Sequence, residues 1–408
     1  FEWDPVYYGP LIDVANVAMA ASPQDKFNQS VFCAGCHEHN QPALLPEQSL
    51  DESKWPNGLP IQTTFSEWEA GPFNTEDTPC QYCHMPAYVD KTNAVDIATV
   101  ENQSITFGFP REPEDVRQHI FRSPFEGEPR LIDTAAHVSI VAYQQEQTLN
   151  ISTSVANVGC GHAIPTGEPL RALYVIIEVD TACGQPSLLN GPVIDEIGGF
   201  LASGRIGQEI TLNQSSIFWE NLDVDTLEGN FLKILRDTQN YDDYNGIGYF
   251  TNQNLSIEEK GLKRYQLIGE TEITSDTPTE NGHTLGFAQT LNLQDGDLVY
   301  LVSSPSAFTD GMESVPLTGQ IGQSFAKVLI DPNGALQTPH YRAVDIIRDN
   351  RIAPGTNVIL EHQFQVPEGC SSGDVEAKLI YRPLPMNIAN QYHWEAQDFI
   401  IAETEQSW

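Results

Sequence analysis

Hydrophobic and polar residues alternate with a period of two along much of the chain after about residue 130. In one run, apolar or threonine positions at 149, 151, 153 and 155 alternate with polar positions at 150, 152 and 154. Similar alternation recurs over 358–366 and 375–381. Successive side chains of a β-strand point to opposite faces, so each run predicts a half-buried strand. Breaks rich in Gly, Pro, Asn and Asp separate the runs, which favours an antiparallel β-sandwich-like arrangement.

The first 130 residues show little continuous apolar periodicity and contain short helical signals instead. Thr64-x-x-Glu67 has the capping-box pattern and predicts a short helix through Trp68. Acidic residues at 112, 114 and 115 predict the start of another helix that would run to about Arg122.

This change of character near residue 130 predicts an α+β fold in two parts. Residues 1–130 would form a small, mostly helical or loop domain. Residues 131–408 would form a β-sandwich-like domain with a loop-rich insertion around 185–340. The chain has 408 residues, of which 40% are apolar, enough for cores in both parts.

Charge narrows the possible partners. Lys and Arg number 20 against 56 Asp and Glu, a formal charge of −36, which argues against nucleic acid as a partner. The sequence contains no apolar run long enough to span a bilayer, so we expect no transmembrane segment.

Two cysteine patterns carry the chemistry. They are Cys33-Ala-Gly-Cys36-His37 and Cys80-Gln-Tyr-Cys83-His84. Cys-x-x-Cys-His is the attachment signature of c-type haem, in which two thiols add to the porphyrin vinyl groups and the adjacent histidine is held beneath the iron. A zinc site made from the four cysteines is the alternative, and the histidine after each pair argues against it. We therefore expect two covalently attached haem c groups and call residues 1–130 a dihaem domain.

Haem attachment also predicts the compartment, because prokaryotic c-type maturation takes place outside the cytoplasmic membrane. The sequence begins FEWDPVYY without Met, and we expect a mature product whose export signal has been cleaved. The predicted location is extracellular or at the cell surface, with the periplasm as the alternative. Cys183 and Cys370 lie in loop-like segments, which in an oxidising compartment favours a disulfide between them and leaves Cys160 as a free thiol.

Each iron needs a second axial ligand, and histidine is favoured over methionine. Met85 directly follows a proximal ligand and cannot reach the opposite face of the same haem. Among the histidines, His119 lies in RQHIF and His162 lies in a Gly- and Pro-containing loop, although each could be an ordinary loop histidine. His39 is the main rival.

Three further groups have weaker claims to a metal. His137 is a second rival as an axial ligand, but it begins a strand. His362 lies on an apolar strand face and is expected to be a hydrogen-bonded core residue. Calcium is a low-ranked possibility at the following acidic residues, whose spacing does not match an EF-hand: Asp223, Asp225, Glu228, Asp237, Asp242 and Asp243.

Several runs together resemble the multihaem cytochrome c family. They are TTFSEWEAGPF, PCQYCHMP, RQHIF and NVGCGHAIPTGEPLR, followed by TPHYRAVDIIRDNRIAPG and LIYRPLP. The resemblance implies a β domain that carries a G-H-x-x-P-T-G loop, and it implies that His162 and His119 are distal haem ligands. Two features depart from the family: Cys160 stands where a small residue is more usual, and only two haem motifs are present.

These observations predict an extracytoplasmic electron-transfer protein that is not an enzyme. Its redox partners would be other cytochromes or extracellular acceptors. A peroxidase or nitrogen-oxide reductase would need an open iron, and the chain has enough histidines to close both. By analogy with extracellular cytochromes that polymerise, we also expect a homo-oligomer or conductive filament, with the N-terminal segment as a docking arm. A monomeric periplasmic shuttle is the alternative.

Overall fold

The computed structural model describes residues 6–10, 20–44, 49–88, 112–184, 186–192, 194, 199–203, 206–213, 228, 231–237, 265–279, 282–292, 298–302, 321–332, 337–385 and 398–408. Within these residues, no helix is long and apolar enough to cross a membrane. The predicted docking arm at the N-terminus lies mostly outside the described residues.

The haem motifs lie on short helices among short strands. The helices are α1 (Val31–His37), α2 (Thr64–Ala70), α3 (Pro72–Thr75) and α4 (Cys80–His84). The strands are β1 (Val6–Gly9), β2 (Ala20–Pro23), β3 (His39–Gln41) and β4 (Leu59–Gln62). β1 and β2 pair in parallel, and β3 and β4 pair antiparallel. We call residues 20–122, as far as they are described, the haem-motif region.

Two antiparallel sheets follow, and both contribute to one apolar core. The four-stranded sheet has the order β5-β6-β17-β8, formed by β5 (Ala136–Gln145), β6 (Thr148–Asn157), β17 (Asn357–Gln365) and β8 (Ser187–Asn190). The five-stranded sheet has the order β16-β15-β7-β18-β19, formed by β16 (Asp345–Asp349), β15 (Gly322–Ile330), β7 (Ala172–Asp180), β18 (Asp374–Arg382) and β19 (Phe399–Ser407). Leu149 and Phe364 from the first sheet lie in the same buried cluster as Leu173 and Leu379 from the second.

The chain between the two sheets' strands contains a closed six-stranded barrel. Its order is β10-β13-β12-β11-β14-β9, formed by β9 (Gly199–Ser203), β10 (Ile206–Asn213), β11 (Phe231–Asp237), β12 (Tyr265–Thr279), β13 (Gly282–Asn292) and β14 (Leu298–Val302). This stretch was expected to be loop-rich. In β12, Thr271 and Ile273 are buried while Glu272 between them is exposed, so the strand's inner face is partly polar and its alternation is weak in the sequence.

The α+β class, with a mostly helical dihaem domain before a β-sandwich-like domain, is wrong. The described chain is mainly β, in several mostly antiparallel sheets, and its four α-helices have at most seven residues. Gly71 and Pro72 end α2, and α4 is confined between Pro79 and Pro86, because proline restricts the residue before it to extended backbone. The domain boundary near residue 130 stays a prediction.

The second helix predicted from acidic residues is also wrong. Only a 3₁₀ turn forms, over Pro113–Asp115. The following residues run extended beside the chain after α4, with a β-bridge between Arg117 and Ala87 and a hydrogen bond from Gln118 N to Pro86 O of 3.0 Å. Tertiary pairing therefore overrides the local charge signal.

The alternation is confirmed in β6 and β17, but β18 is not half-buried, because all its residues from 377 to 382 are buried. In β6, Leu149, Ile151, Thr153 and Val155 are fully buried, and the intervening residues are not. His362 on β17 is a buried core histidine, as expected, and its Nε2 lies 2.9 Å from the carbonyl oxygen of Pro192.

The Cys183–Cys370 disulfide is confirmed as well. The two Cα atoms lie 5.8 Å apart, and the bond closes 187 positions of the chain. Cys370 belongs to the shared apolar core.

Candidate haem-binding site

The two haem motifs pack against each other. The backbone N–H of Cys80, at the start of α4, donates to Ser30 Oγ just before α1 (3.1 Å). Gln81 Nε2 donates to the carbonyl oxygens of Phe27 and Gln29 at 3.0 and 2.9 Å. These three hydrogen bonds join the start of α4 to the residues that precede α1.

This packing brings the first thiols of the two motifs together. Cys33 and Cys80 share a side-chain hydrogen bond, which raises the pKa of Cys33 and lowers that of Cys80 to about 6. Cys36 is exposed, and Cys83 lies close enough to Cys160 for the thiol to raise its pKa, although burial is the larger cause. The attachment positions therefore form one compact group of side chains.

His84 faces His162 across a gap. Their ring centroids are 6.3 Å apart and the ring planes differ by 21°. The Nδ1–H of His84 donates to the carbonyl oxygen of Arg122 (2.9 Å), because a carbonyl can only accept. Nε2 of His84 is left with its lone pair, the arrangement that orients metal-binding histidines.

The separation of these rings fits two axial ligands on one iron. Metal–nitrogen bonds of about 2 Å and ring bonds of about 1.3–1.4 Å put the centroids of two opposed imidazoles roughly 6 Å apart. Cys80 and Cys83 lie on the same helix as His84, so this motif and His162 together could hold one haem c.

The loop that carries His162 is fixed from several sides. Asn157 Nδ2 donates to the carbonyl oxygen of His162 (2.7 Å), and Ile164 forms a β-bridge with Ile352. A Cβ on Gly161 would come within 3.2 Å of Trp68, which explains glycine at this point of close approach. These contacts tie the ligand to the two-sheet core.

Local contacts also hold the His162 ring. Its Nδ1 lies 3.1 Å from the carbonyl oxygen of Ala163 and 3.0 Å from the Sγ atom of Cys160. Cys160 is a free thiol, as expected, and burial raises its pKa to about 12. Cys160, which stands where the resembled family more usually has a small residue, therefore contacts the predicted ligand His162 directly.

Loss of solvent favours the neutral form of two imidazoles, His162 and His37. Loss of solvent is the largest cause that lowers the pKa of His162. The pKa of His37 is lowered by partial desolvation and then by the nearby His84 and His162. Neutral imidazole is the form that binds metal, so these lowered pKa values favour ligation by His37 and His162.

The structure does not bring the other candidate ligands into this pair. His119 lies in an exposed bend beside the chain after α4, and His39 is exposed at the start of β3. His137 is exposed on β5. His119 and His39 both stay predictions for the second ligand of the first haem.

The calcium prediction gains no support from the described residues. Asp223, Asp225, Asp242 and Asp243 lie outside them, Glu228 is exposed, and Asp237 ends β11. Within the part of the chain that the structure describes, no group of three His, Cys, Asp or Glu side chains is placed to hold a metal ion.

Sequence reasoning missed the role of Glu67. It was interpreted as half of a capping box with Thr64, but Thr63 is the N-cap residue of α2 and no side chain caps the helix. Glu67 instead accepts a hydrogen bond from the backbone N–H of Ala163, next to His162. The resemblance of TTFSEWEAGPF to the family was the one signal that this segment serves the site.

The chain is similar to known proteins only at the level of solved structures, with low sequence identity. No family model matches the chain, and no curated protein matches it. Among solved structures, it is similar to a penta-haem cytochrome c552 from Thermochromatium tepidum, with 14% identity and a TM-score of 0.44; the match covers 98% of this chain and 63% of that one. A pore-forming protein and a delta-toxin from Clostridium perfringens match 67% of this chain at 6% and 9% identity, covering 89% and 86% of their own lengths, each with a TM-score of 0.15. At these scores the likenesses carry no functional inference.

Proposed function

We propose that the protein is a dihaem c-type cytochrome that transfers electrons outside the cytoplasm. The observation that carries this proposal is the pairing of His84 with His162, at 6.3 Å between ring centroids, beside two packed Cys-x-x-Cys-His helices. The pair combines a motif histidine with the histidine that the resemblance singled out.

Each residue of the second motif has a defined task. Cys80 and Cys83 would attach the haem, and His84 and His162 would hold its iron. The bound haem supplies an iron that changes between ferrous and ferric states. With two histidines of the protein holding the iron, substrate would find no open site there, which favours an electron carrier over a peroxidase or nitrogen-oxide reductase.

The first motif holds the second haem through Cys33, Cys36 and His37, with His119 as the proposed distal ligand and His39 as its rival. Contact between the Cys33 and Cys80 thiols supports close placement of the two haems. Electrons could then pass from one haem to the other within one chain.

Mass and spectra test the proposal. The intact protein should exceed the polypeptide mass by two haems, and the colour should stay with the protein after acid–acetone extraction. His162→Ala should convert one haem to a high-spin or ligand-accessible state, while His137→Ala, on an exposed strand position, should leave the spectrum unchanged. A protein with one haem or none contradicts the proposal, and a wild-type spectrum altered by cyanide or nitrite would favour the enzyme.

Location and assembly are proposed on the resemblance and on the export requirement of haem attachment. The protein would act at the cell surface or beyond it, exchange electrons with other cytochromes or extracellular acceptors, and assemble into a filament. Electron microscopy of shed material tests this assembly. A protein that stays monomeric at high concentration, with no filaments on cells, would favour the periplasmic shuttle.

A further inference from the structure

A group of four charged side chains lies behind the His162 loop; three of them are largely buried, and Asp349 is 37% exposed. Arg351 Nη1 and Glu67 Oε1 are 2.6 Å apart, with only 9% and 12% of the two side chains exposed. Arg351 also donates to both carboxylate oxygens of Asp349, from Nε at 2.7 Å and from Nη2 at 2.9 Å. Lys327, whose side chain is 3% exposed, places its Nζ 3.8 Å from Asp349. We call these four residues the charge cluster, and its formal charges sum to zero.

One carboxylate oxygen of Glu67 is aimed at the ligand loop. Glu67 Oε2 accepts from the backbone N–H of Ala163 (3.1 Å) and from Thr166 Oγ1 (2.7 Å). Arg351 Nη1 reaches the carbonyl oxygen of Pro165 in the same loop (3.4 Å). The charge cluster therefore holds the residues directly after His162.

Glu67 is ionised in this setting. Burial by itself would raise its pKa, but the Arg351 charge and hydrogen bonds from Thr63 and Thr166 outweigh burial and lower the pKa. Buried ion pairs seldom stabilise a fold more than apolar residues of the same volume would. A cluster of four charges beside a ligand loop thus points to a role beyond holding the backbone.

We propose that Glu67 is a positioning residue for His162 and that the charge cluster sets the reduction potential of the haem bound between His84 and His162. This inference rests on the proposed function. A charge in a poorly solvated interior acts on its surroundings more strongly than one in water, and net charge and burial are among the factors that tune haem potentials.

The signs of the effects provide the test. Glu67→Gln keeps an oxygen for the Ala163 N–H but leaves the cluster with one excess positive charge, so the ferric state is disfavoured and the midpoint potential should rise. Arg351→Met leaves one excess negative charge and should lower the potential. The double variant restores neutrality and should return the potential toward the wild-type value.

Spectroelectrochemistry of the haem-loaded protein measures these potentials, and electron paramagnetic resonance reports the spin state. Glu69→Gln is the matched control, because this carboxylate is exposed on the same helix and screened by water and salt. It should leave the potential unchanged. If the Arg351→Met protein does not accumulate, the proposal is tested by comparing the midpoint potential of Glu67→Gln with that of Glu69→Gln.

The proposal is supported if the midpoint potential shifts in opposite directions in Glu67→Gln and Arg351→Met and both variants keep their low-spin signals. Shifts of the same sign, or loss of the low-spin signal in both single variants, would reduce the cluster to a structural support and overturn it. So would a Glu67→Gln variant with the wild-type potential. Wild-type protein that lacks the two haems would instead overturn the proposed function.

Discussion

The haem-motif region and the two-sheet core bury side chains by different means. Helices α1, α2 and α3 contain no buried residue, and α4 contains only Gln81. In the two sheets, every second residue of β6 is buried and apolar residues of both sheets share one cluster. The helices thus have no apolar core of their own, whereas the sheets do.

This difference indicates what each region needs in order to be stable. Phe32, Tyr82 and Phe121, around the two motifs, are 45%, 61% and 70% exposed. Apolar surface of this kind is stabilised when a flat hydrophobic group covers it. We infer that the haems complete the interior of the haem-motif region, while the sheets fold on their own apolar residues.

The largest effect should follow from removing one attachment site. Cys80→Ser with Cys83→Ser should yield protein with one haem, and the haem-motif region should become open to limited proteolysis while the sheets stay resistant. Mass spectrometry of the intact protein and of its fragments measures both effects. Cys160→Ser, which changes a free thiol, should keep two haems. Two haems in the double variant would contradict the attachment assignment.

A core substitution in the sheets should have the converse effect. Leu149→Ala removes a fully buried side chain and should lower the free energy of unfolding by about 2–5 kcal/mol, with both haems still attached. Chemical denaturation followed by circular dichroism measures it. Val141→Ala, at a position 60% exposed on the neighbouring strand, should change stability by less than about 0.5 kcal/mol. Equal losses in the two variants would refute a core in these sheets.

The disulfide should contribute somewhat less. Replacing Cys183 and Cys370 by Ala frees a closure of 187 positions and should cost about 2–4 kcal/mol, because the unfolded chain gains freedom. The denaturation midpoint should fall with the haem spectrum unchanged. Peptide mapping of unreduced wild-type protein is the direct check, and a free thiol on either residue would exclude the bond.

The smallest effect concerns a buried lysine at high pH. Lys378 is 3% exposed, and its Nζ lies 2.6 Å from Glu178 and 3.1 Å from Glu376. Burial opposes its charge, but the two carboxylates outweigh burial and raise its pKa. The resulting stabilisation is complete below the ordinary value of 10.5 and is lost as the pH rises through the higher folded-state pKa. The free energy of unfolding, measured below pH 10.5 and above the folded-state pKa, should fall with pH in the wild type but not in Lys378→Met. If the free energy of unfolding of the two proteins changes with pH in parallel, Lys378 does not cause the loss.

Some of the site could be predicted from the sequence because its chemistry is local. Cys80, Cys83 and His84 lie within about one and a half helical turns, so five consecutive residues contain the whole predicted attachment motif. The period-two runs of the sheets were visible for the same reason. The helix expected up to Arg122 failed, because charge near a helix start is a weak preference that pairing with the chain after α4 overrides.

Sequence by itself determined the two Cys-x-x-Cys-His motifs and the alternating strands, since each depends on residue type and short spacing. It also indicated the two cysteines of the disulfide, through their loop-like segments. Only the tertiary structure decided that Glu67, while it accepts a hydrogen bond from Thr63 at the start of its own helix, also binds Arg351, which lies 284 positions later, and the backbone beside His162. It also decided which histidine faces His84. Both outcomes depend on how distant segments pack, and side-chain partners across such separations leave no periodic trace along the chain.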